Sequence, residues 1–523
     1  MSTNILSILI FFPLILSLPI LFFRRENSLL IKVYALAISI ATFLISLYLI
    51  FKFDISSGEF QFVEKVPWVK IINANYFVGI DGISLMMVML TTFIMPLCLI
   101  ASFNTIKLRI KEYFFLMLLM EGALIGVFVS LDLILFYIFW EFILIPMYFL
   151  IGIWGGENRV YATLKFFIYT AVGSLLLLIG IIWVGNLVSA PNSFTSDFVE
   201  LSISAPTAVM SKQIFLFVLF TLSFLIKVPL FPFHTWLPDA HVQAPTAGSV
   251  ILASLLLKMG AYGILRFSLS LFPAAFAFFT PYLAVLAVIG IIYGALLSIV
   301  QKDMKKLVAY SSVSHMGFIV LGITALTVES LQGSLIQMVN HGLSTGALFL
   351  IVGMFYERRH TKEISEYGGL RKVMPWMAAI FLIVSLSSIG LPGLNGFIGE
   401  FLILVGSFGS PHLGSAAYTV IATTAVILAA IYLLWLYQRV MLGPLDNDKN
   451  KNLKDLSVSE YLSIIPILVF IFWIGVQPNA FLKYSENTMK KITTTFEMSR
   501  MKVTHDEKKE DNGERRDPVD EVK

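Results

Sequence analysis

The sequence predicts an all-α, polytopic membrane protein of about 14 transmembrane helices. Hydrophobic residues make up 58% of the 523-residue chain and charged residues only 13%, whereas soluble globular proteins carry about 25% charged residues. About 14 apolar runs have the length that a bilayer-spanning helix needs, which is about 20 residues. Two of these runs are interrupted by proline and glycine at corresponding places, a pattern typical of transporters.

The apolar runs follow one another from the first residues almost to the end of the chain. The run at 4–23 lacks the basic segment and the cleavage site of a signal peptide, so we expect a retained transmembrane helix. The run at 374–409 is too long for one straight helix and contains Gly390 and Pro392, so a broken span is expected. The runs lie near 4–23, 29–51, 82–102, 113–130, 132–153, 163–186, 212–230, 246–267, 280–300, 306–324, 330–354, 374–409, 414–440 and 460–481.

The predicted spans divide the chain into five segments. Spans 4 to 8 and spans 9 to 13 form two runs of five, and the fourth span of each run is broken. Paired breaks of this kind predict two inverted five-helix repeats, each forming a half-channel around its broken helix. The last segment is rich in charges of both signs, so we expect it to be disordered or bound to the surface. The segments are 1–111 (spans 1 to 3), 112–270, 271–442, 443–481 (the last span) and 482–523 (the polar tail).

Lysine and arginine are distributed unequally between alternate connections. The connections after odd-numbered spans hold about four times as many of them as the connections after even-numbered spans. The odd connections are therefore predicted to face the cytoplasm, with both termini on the other side. Outside the tail, only Lys227 and Lys258 belong to none of these connections, because both fall inside apolar runs.

Several ionisable side chains are predicted at membrane depth. A charge at the bilayer centre costs about 2.5–3.5 kcal/mol on insertion scales, so such residues usually have a function. One interpretation is that each fixes helix packing through a neighbour. The presence of two lysines and at least two glutamates in one chain favours a proton relay instead. The candidates are Glu121, Glu141, Lys227, Lys258, His315, His341 and Glu400.

Other chemistries have little support in the sequence. Cys98 is the single cysteine, which excludes internal disulfides and cysteine-based zinc or iron–sulfur sites. His234, Asp239 and His241 are potential metal ligands, but their spacing on a proline-containing turn does not suit one helical face, so no metal site is predicted. The glycines of 390–399 lack the strand and the Gly-Lys-Ser/Thr sequence of a phosphate loop. A net charge of +4 without a basic stripe predicts no nucleic-acid partner.

Several motifs resemble the antiporter-like subunits of respiratory complex I. They are Phe-Trp-Glu-Phe at 139–142, Lys-Val-Pro at 227–229, His-Thr-Trp-Leu-Pro-Asp-Ala-His at 234–241 and Asp-Met-Lys-Lys-Leu-Val-Ala-Tyr-Ser-Ser at 303–312. The resemblance covers about 80–440. Glu400 favours the M type of these subunits, because the L and N types carry lysine there. The chain also ends soon after the last span, without the long lateral helix typical of the L type.

The resemblance implies that this chain is one subunit of a larger complex, in which proton transport and redox chemistry belong to different subunits. The chain would conduct protons as a subunit of a proton-pumping NADH:quinone oxidoreductase, without a redox centre or cofactor of its own. NADH, FMN, iron–sulfur clusters and quinone would belong to partner subunits. Its partners would be other membrane subunits, namely the L and N types and the quinone-proximal ones, within the lipid of a bacterial inner membrane.

The resemblance also implies roles for individual residues. Glu141 would pair with Lys227 near the first break, Lys258 would connect the two halves, and Glu400 would serve the second half-channel. Two histidines would bridge through water between Lys258 and Glu400, namely His315 and His341. Two accessory carboxylates are also candidates, namely Glu121 and Asp132.

Two alternatives to this function stay open. The large subunits of multisubunit cation/proton antiporters share the same core and can also carry glutamate at the place of Glu400. A structural membrane scaffold is the other alternative, and replaceable charges at membrane depth would favour it.

Overall fold

The computed structural model describes residues 4–187 and 194–511. In this part of the chain, 13 helices are long and apolar enough to cross a membrane, and Pro375–Ile389 and Asn395–Phe408 are two shorter apolar helices at the predicted break. The predicted all-α polytopic fold is therefore confirmed. In chain order the elements are α1 (Ile5–Phe22), α2 (Ser28–Lys52), β1 (Gln61–Val69), β2 (Ala74–Ile80), α3 (Gly82–Thr105), α4 (Ile110–Val129), α5 (Leu133–Trp154), α6 (Arg159–Leu187), α7 (Phe198–Ser204), α8 (Met210–Lys227), α9 (Trp236–Gln243), α10 (Thr246–Leu271), α11 (Pro273–Ile299), α12 (Met304–Ala325), α13 (Val328–Arg359), α14 (Pro375–Ile389), α15 (Asn395–Phe408), α16 (Ala417–Met441), α17 (Val458–Val476), α18 (Asn479–Leu482) and α19 (Glu486–Asp511).

Three helices form the centre of the bundle. The most apolar stretches of α10 and α13 are entirely buried by protein, and that of α12 almost entirely. Helices at the periphery, such as α1 and α2, bury only a third of theirs. The central helices carry Lys258, His315 and His341, so these side chains face protein rather than lipid.

Proline and glycine break two helices, as predicted. Helix α8 ends at Lys227 because Pro229 and Pro232 lack the amide hydrogens that would continue it, and the chain resumes a helix at α9. Helix α14 ends at Gly390, which has a φ of +84° that favours glycine. A β-carbon on Gly396 would lie 2.0 Å from the carbonyl oxygen of Ser387, so only glycine allows α15 to begin this close to α14.

An antiparallel hairpin of β1 and β2 joins α2 to α3 and was not predicted. On β1, Glu64 accepts a hydrogen bond of 2.9 Å from the backbone N–H of Leu6, which stabilises the start of α1. The neighbouring Lys65 forms an ion pair of 2.5 Å with Asp197, and this ion pair raises the pKa of Lys65. The hairpin thereby holds the ends of distant helices together.

Asp132 stabilises the start of α5. Its carboxylate accepts hydrogen bonds from the backbone N–H groups of Ile134 (2.9 Å), Leu135 (3.1 Å) and Asn75 (3.0 Å), and from the hydroxyl of Ser196 (2.7 Å). Burial raises the pKa of Asp132, although these hydrogen bonds act against it. The side chain is therefore a helix cap that also fixes the hairpin. At 1.5 Å per residue it lies about 13 Å along the helix from Glu141.

The predicted polar tail at 482–523 contains a helix, α19. Its first half packs across the ends of several transmembrane helices. The hydroxyl of Thr488 accepts a hydrogen bond of 3.2 Å from Gly82 of α3, and Glu497 pairs with His412 at 2.9 Å. Of the two predicted alternatives, disorder is wrong for this part and attachment to the protein surface is correct. Residues 512–523 of the predicted tail lie outside the described residues.

Removing the buried cation Arg266 should destabilise the protein strongly. Its guanidinium lies 2.5 Å from the carboxylate of Asp81, and both side chains are almost fully buried. Arg266→Met would leave that carboxylate buried without a cation, which costs about 3–5 kcal/mol. We expect a lower yield of folded protein and a lower melting temperature in detergent. The exposed Lys212→Met is the matched control, and equal stability of the two variants would contradict this prediction.

Candidate functional site

Four ionisable side chains from four helices form a row through the centre of the protein. The ammonium of Lys258 lies 2.5 Å from Nδ1 of His341, and Nδ1 of His315 lies 3.1 Å from a carboxylate oxygen of Glu400. The centroids of the two imidazole rings lie 5.6 Å apart, with the ring planes tilted by 59°. All four side chains are buried. The resemblance assigned roles in the relay to six residues, apart from the accessory carboxylates. The structure brings four of these six together.

The local shape of α10 positions Lys258. The helix widens into π-helical turns at 252–256 and 264–268, on either side of the lysine. The widened turn places the carbonyl oxygen of Ala253, five residues earlier, within hydrogen-bond reach of the ammonium. This carbonyl group and His341 are thus two acceptors for one buried ammonium group.

A small polar cavity lies between the two histidines. Its volume is about 10 Å³, close to that of one water molecule. Both imidazole rings line it, together with Asn340 and Ser344. Nε2 of His341 has no hydrogen-bond partner among the described protein atoms. The predicted water bridge between Lys258 and Glu400 is therefore needed only between the two histidines. The contacts of Lys258 with His341 and of His315 with Glu400 are direct.

The break between α14 and α15 makes room for Glu400. A β-carbon on Gly390 would lie 2.8 Å from one of its carboxylate oxygens, so a larger residue there would crowd the carboxylate. The amide of Gln337 donates a hydrogen bond of 3.3 Å to the other oxygen. Asn395, the first residue of α15, is fully buried and bonded to the hydroxyl groups of Ser387 (2.5 Å) and Ser344 (3.1 Å). A polar lining thus follows the break.

Lys227 has a different environment at the end of α8. Its ammonium is fully buried and has no hydrogen-bond partner among the described residues. It lies 5.2 Å from the centre of the Trp140 ring and 5.7 Å from that of Phe166, which are cation–π contacts. These aromatic faces stabilise a positive charge without fixing its position by hydrogen bonds.

Glu141, the predicted partner of Lys227, lies nearby without touching it. It is the residue next to Trp140, whose ring the ammonium contacts. The ammonium of Lys227 has no hydrogen-bond partner among the described residues, Glu141 included, and one oxygen of Glu141 is buried without a partner. The side chain is only half-buried. The structure therefore shows no closed salt bridge between the two side chains.

A second group of basic side chains lies at one end of the central helices. His241 is fully buried, stacks on Phe349 at 4.5 Å, and has no partner for either ring nitrogen among the described atoms. The ammonium of Lys305 is bonded to the carbonyl oxygen of Ala244 (2.5 Å) and lines a cavity of about 140 Å³ with Lys362. Burial lowers the pKa of Lys362. The cavity is lined by Ala244 and Thr246, on the chain segment that follows His241.

Sequence reasoning missed this group for an identifiable reason. Lys305 lies within the 303–312 motif, but its position at the start of an apolar run made it look like a surface anchor. His234 and His241 were considered only as metal ligands. In the part of the chain that the structure describes, no three histidine, cysteine or acidic side chains come together as a metal site would require.

Glu121 stands apart from the row. It is fully buried in α4, and its one hydrogen bond comes from the hydroxyl of Ser39 on α2, at 3.0 Å. Its other oxygen has no partner among the described residues. The structure therefore links this carboxyl group to the first helices and to none of the six predicted site residues.

Comparison with protein families gives two matches that together span most of the chain. The family described as "NADH:quinone oxidoreductase/Mrp antiporter, TM" matches residues 130–432. The family described as "NADH-ubiquinone oxidoreductase chain 4, amino terminus" matches residues 7–127. The first match includes every member of the central row.

Individual relatives are similar over nearly their whole length. The chain is 45% identical over 496 residues to NADH-quinone oxidoreductase subunit M of Rickettsia prowazekii (strain Madrid E), covering 94% of this chain and 99% of the relative. It is 44% identical over 480 residues to NADH-ubiquinone oxidoreductase chain 4 of Marchantia polymorpha, covering 91% and 94%.

Solved structures share the fold. A chain of respiratory complex I from Thermus thermophilus with bound NADH superposes with a TM-score of 0.85 at 30% identity, covering 94% of this chain and 99% of that chain. A chain of the Mrp complex from Dietzia sp. DQ12-45-1b superposes with a TM-score of 0.83 at 19% identity, covering 95% and 99%. The second likeness concerns the fold alone.

Proposed function

This chain belongs to the NADH:quinone oxidoreductase/Mrp antiporter family of membrane subunits, and from this premise we propose that it translocates protons as a subunit of an NADH:quinone oxidoreductase. The observation that carries the proposal is the buried row of Lys258, His341, His315 and Glu400. Ionisable groups at this depth are costly and mark proton pathways. NADH oxidation and quinone reduction take place in partner subunits, which hold the flavin and the iron–sulfur clusters.

The row transfers protons between the two halves of the protein. Lys258 donates to Nδ1 of His341, whose Nε2 can release a proton toward the water-sized cavity. His315 takes it up and passes it to Glu400. An imidazole suits this role because its two nitrogens can bind and release a proton on opposite sides of the ring. Glu400 lies beside a helix break, and broken helices at membrane depth line hydrated cavities.

Glu141 and Lys227 control the first half of the pathway. An anion close to a buried ammonium group favours its charged form. Because the two side chains are not locked in a salt bridge, a shift of a few ångströms in α5 would change how firmly the lysine holds its proton. We further propose that 112–270 and 271–442 act as two half-channels, one around each broken helix.

Membership of this family supports a proposal for the partners and the location. The L-type, N-type and quinone-proximal membrane subunits would be the neighbours of this chain in a bacterial inner membrane. The Lys/Arg distribution favours both termini on the non-cytoplasmic side.

The topology can be tested with a reporter that is active only in the cytoplasm. Fused at the C-terminus, it should be silent. Fused after Lys449, in the lysine-rich connection that follows α16, it should be active because this connection is predicted to face the cytoplasm. Strong activity of the C-terminal fusion, with a silent internal fusion, would reverse the predicted orientation.

Deleting the gene for this chain should abolish NADH-driven proton transport. In inverted membrane vesicles, NADH should no longer produce a pH gradient detectable by a fluorescent amine, and a plasmid copy should restore it. Loss of a cation/proton antiporter subunit would have a different result. NADH would still acidify the vesicles, but added Na⁺ would no longer dissipate the gradient. That second result would replace our proposal with the antiporter alternative.

A scaffold role predicts a third result. The deletion would then remove the complex, whereas a chain with Lys258→Met would assemble and pump normally. We expect the variant to assemble without normal pumping, since methionine keeps the shape of the side chain but cannot carry a proton.

A further inference from the structure

A cavity of about 510 Å³ opens at the end of α16, far from the central row in sequence. Trp435 and Arg439 of the last helical turns line one side of it, and Gly443, Asp446 and Asn447 of the following connection line the other. This is the end of α16 that the Lys/Arg distribution predicts to face the cytoplasm. Nothing in the proposed proton pathway uses this cavity.

Arg439 lines the cavity with a guanidinium that is stacked on an aromatic ring. Its guanidinium lies flat on the Trp435 ring at 3.9 Å, and Nε donates to the carbonyl oxygen of Trp435 at 3.3 Å. Nη2 is buried and has no partner among the described residues. A buried donor without an acceptor is unfavourable. A guanidinium held flat in this way is preorganised to bind the oxygens of a phosphate group.

The charges around the cavity are balanced. Among the described residues that line it, Arg439 is the one cation and Asp446 the one anion. A purely anionic ligand would meet the carboxylate of Asp446 unfavourably. A ligand with both a phosphate and an ammonium group would satisfy both side chains. Gly443 has a φ of +86°, and no atom lies within 4 Å of the place of its missing β-carbon, so the backbone leaves this side open.

An apolar surface continues from the cavity along the helix. Ile427, Ile431 and Leu434 are 65%, 44% and 41% exposed, and their spacing places them on one face of α16. Trp435, at 42% exposure, lies between this face and the cavity. Tryptophan is enriched where the membrane interior meets the headgroups. The arrangement is thus apolar along the helix and polar at its end, as a phospholipid is.

We propose that this cavity binds the headgroup of an aminophospholipid of the phosphatidylethanolamine class. The phosphate accepts hydrogen bonds from Arg439, the ammonium group pairs with Asp446, and the acyl chains lie along the apolar face of α16. Pockets between transmembrane helices on the cytoplasmic side are known to bind phospholipid headgroups when they are basic, and the added carboxylate of Asp446 favours a headgroup that also carries an ammonium group. The proposal is independent of the proton pathway.

The test measures phospholipid retained by the purified complex. Complexes with the parent chain, Arg439→Gln or Asp446→Asn are exchanged into detergent and titrated with phosphatidylethanolamine or phosphatidylglycerol, and bound lipid is counted by native mass spectrometry. Arg439→Gln should weaken phosphatidylethanolamine binding about tenfold. The exposed Lys372→Gln, which removes a cation at the same end of the protein, should have no effect. Asp446→Asn should reduce the preference for phosphatidylethanolamine over phosphatidylglycerol without weakening phosphatidylglycerol itself.

Four outcomes would overturn the proposal. Arg439→Gln could retain lipid like the parent chain. Phosphatidylglycerol could bind as well as phosphatidylethanolamine in the parent, which would remove the role of Asp446. Inorganic phosphate could displace the lipid, which would identify a free-phosphate site. Finally, a photoreactive amino acid in place of Trp435 could cross-link to another subunit instead of lipid, which would identify the surface as a protein interface.

Discussion

Glu141→Gln should nearly abolish NADH-driven proton transport while the protein still assembles. Glutamine keeps the shape of the side chain but removes the anion that acts on Lys227. The lysine has no hydrogen-bond partner among the described residues, so in the proposed mechanism Glu141 is the group that adjusts its charge. We expect the rate of proton transport to fall by about tenfold or more, the range expected when a proton carrier loses its function. Dye quenching in inverted vesicles measures this rate, and blue-native electrophoresis measures assembly.

Two further glutamates provide matched controls for this substitution. Glu112→Gln makes the same chemical change at a surface ion pair with Arg25, of which the arginine side chain is 80% exposed. Glu121→Gln makes it at a fully buried site whose one hydrogen bond, from Ser39, an amide oxygen can also accept. Both should pump at near-parental rates. Near-parental pumping by assembled Glu141→Gln would reduce the pair to a packing role.

The fold was largely predictable because its determinants are local. A run of about 20 apolar residues forms a transmembrane helix whatever its neighbours are. Proline and glycine break a helix at their own position, as at Pro229 and Gly390. A lysine inside an apolar run, such as Lys258, indicates a candidate functional site because its insertion is costly. Each of these features could be recognised without knowing any contact between distant residues.

The missed features depend on contacts between distant segments. The bond between Lys258 and His341 joins residues 83 positions apart, and the helix cap formed by Asp132 holds a strand as well. No local pattern specifies either contact. The hairpin of β1 and β2 was missed because its strands are not apolar enough to resemble a span. The same limit applies to α19, whose charged sequence indicates disorder until Thr488 and Glu497 meet their partners.

The site was predicted as a set of residues, and its order came from the structure. Sequence identified seven ionisable groups at membrane depth, and resemblance supplied relay roles for six of them. The geometry separates these six into two groups. Four of them form a row of neighbouring side chains, and the other two, Glu141 and Lys227, form a separate pair without direct contact. Because Glu400 is the terminal member of the row, we expect its loss to affect every proton that passes along the row.

Glu400→Ala should stop proton transport and slow NADH oxidation in sealed vesicles. The substitution removes the carboxylate that lies 3.1 Å from His315, so a proton arriving at that histidine has no acceptor at the helix break. Adding an uncoupler should not restore the full rate of NADH oxidation. An uncoupler removes an accumulated proton gradient, whereas the defect of this variant lies in the proton transfer itself. We expect transport to fall by about tenfold or more. Glu329→Ala, which removes an exposed carboxylate from the first turn of α13, is the control.

The chemistry of the replacement separates a proton carrier from a packing residue. Glu400→Asp keeps a carboxylate and should retain partial transport, because the shorter side chain lengthens the contact with His315. Glu400→Gln keeps the shape and can still accept a hydrogen bond from Gln337, yet it cannot carry a proton, so it should fail like alanine. A packing role predicts the opposite order, with glutamine better tolerated than aspartate. Glu400→Lys should assemble but pump poorly, since it places a cation beside His315. If assembled Glu400→Ala pumped like the parent chain, protons would leave by a route that does not include this residue.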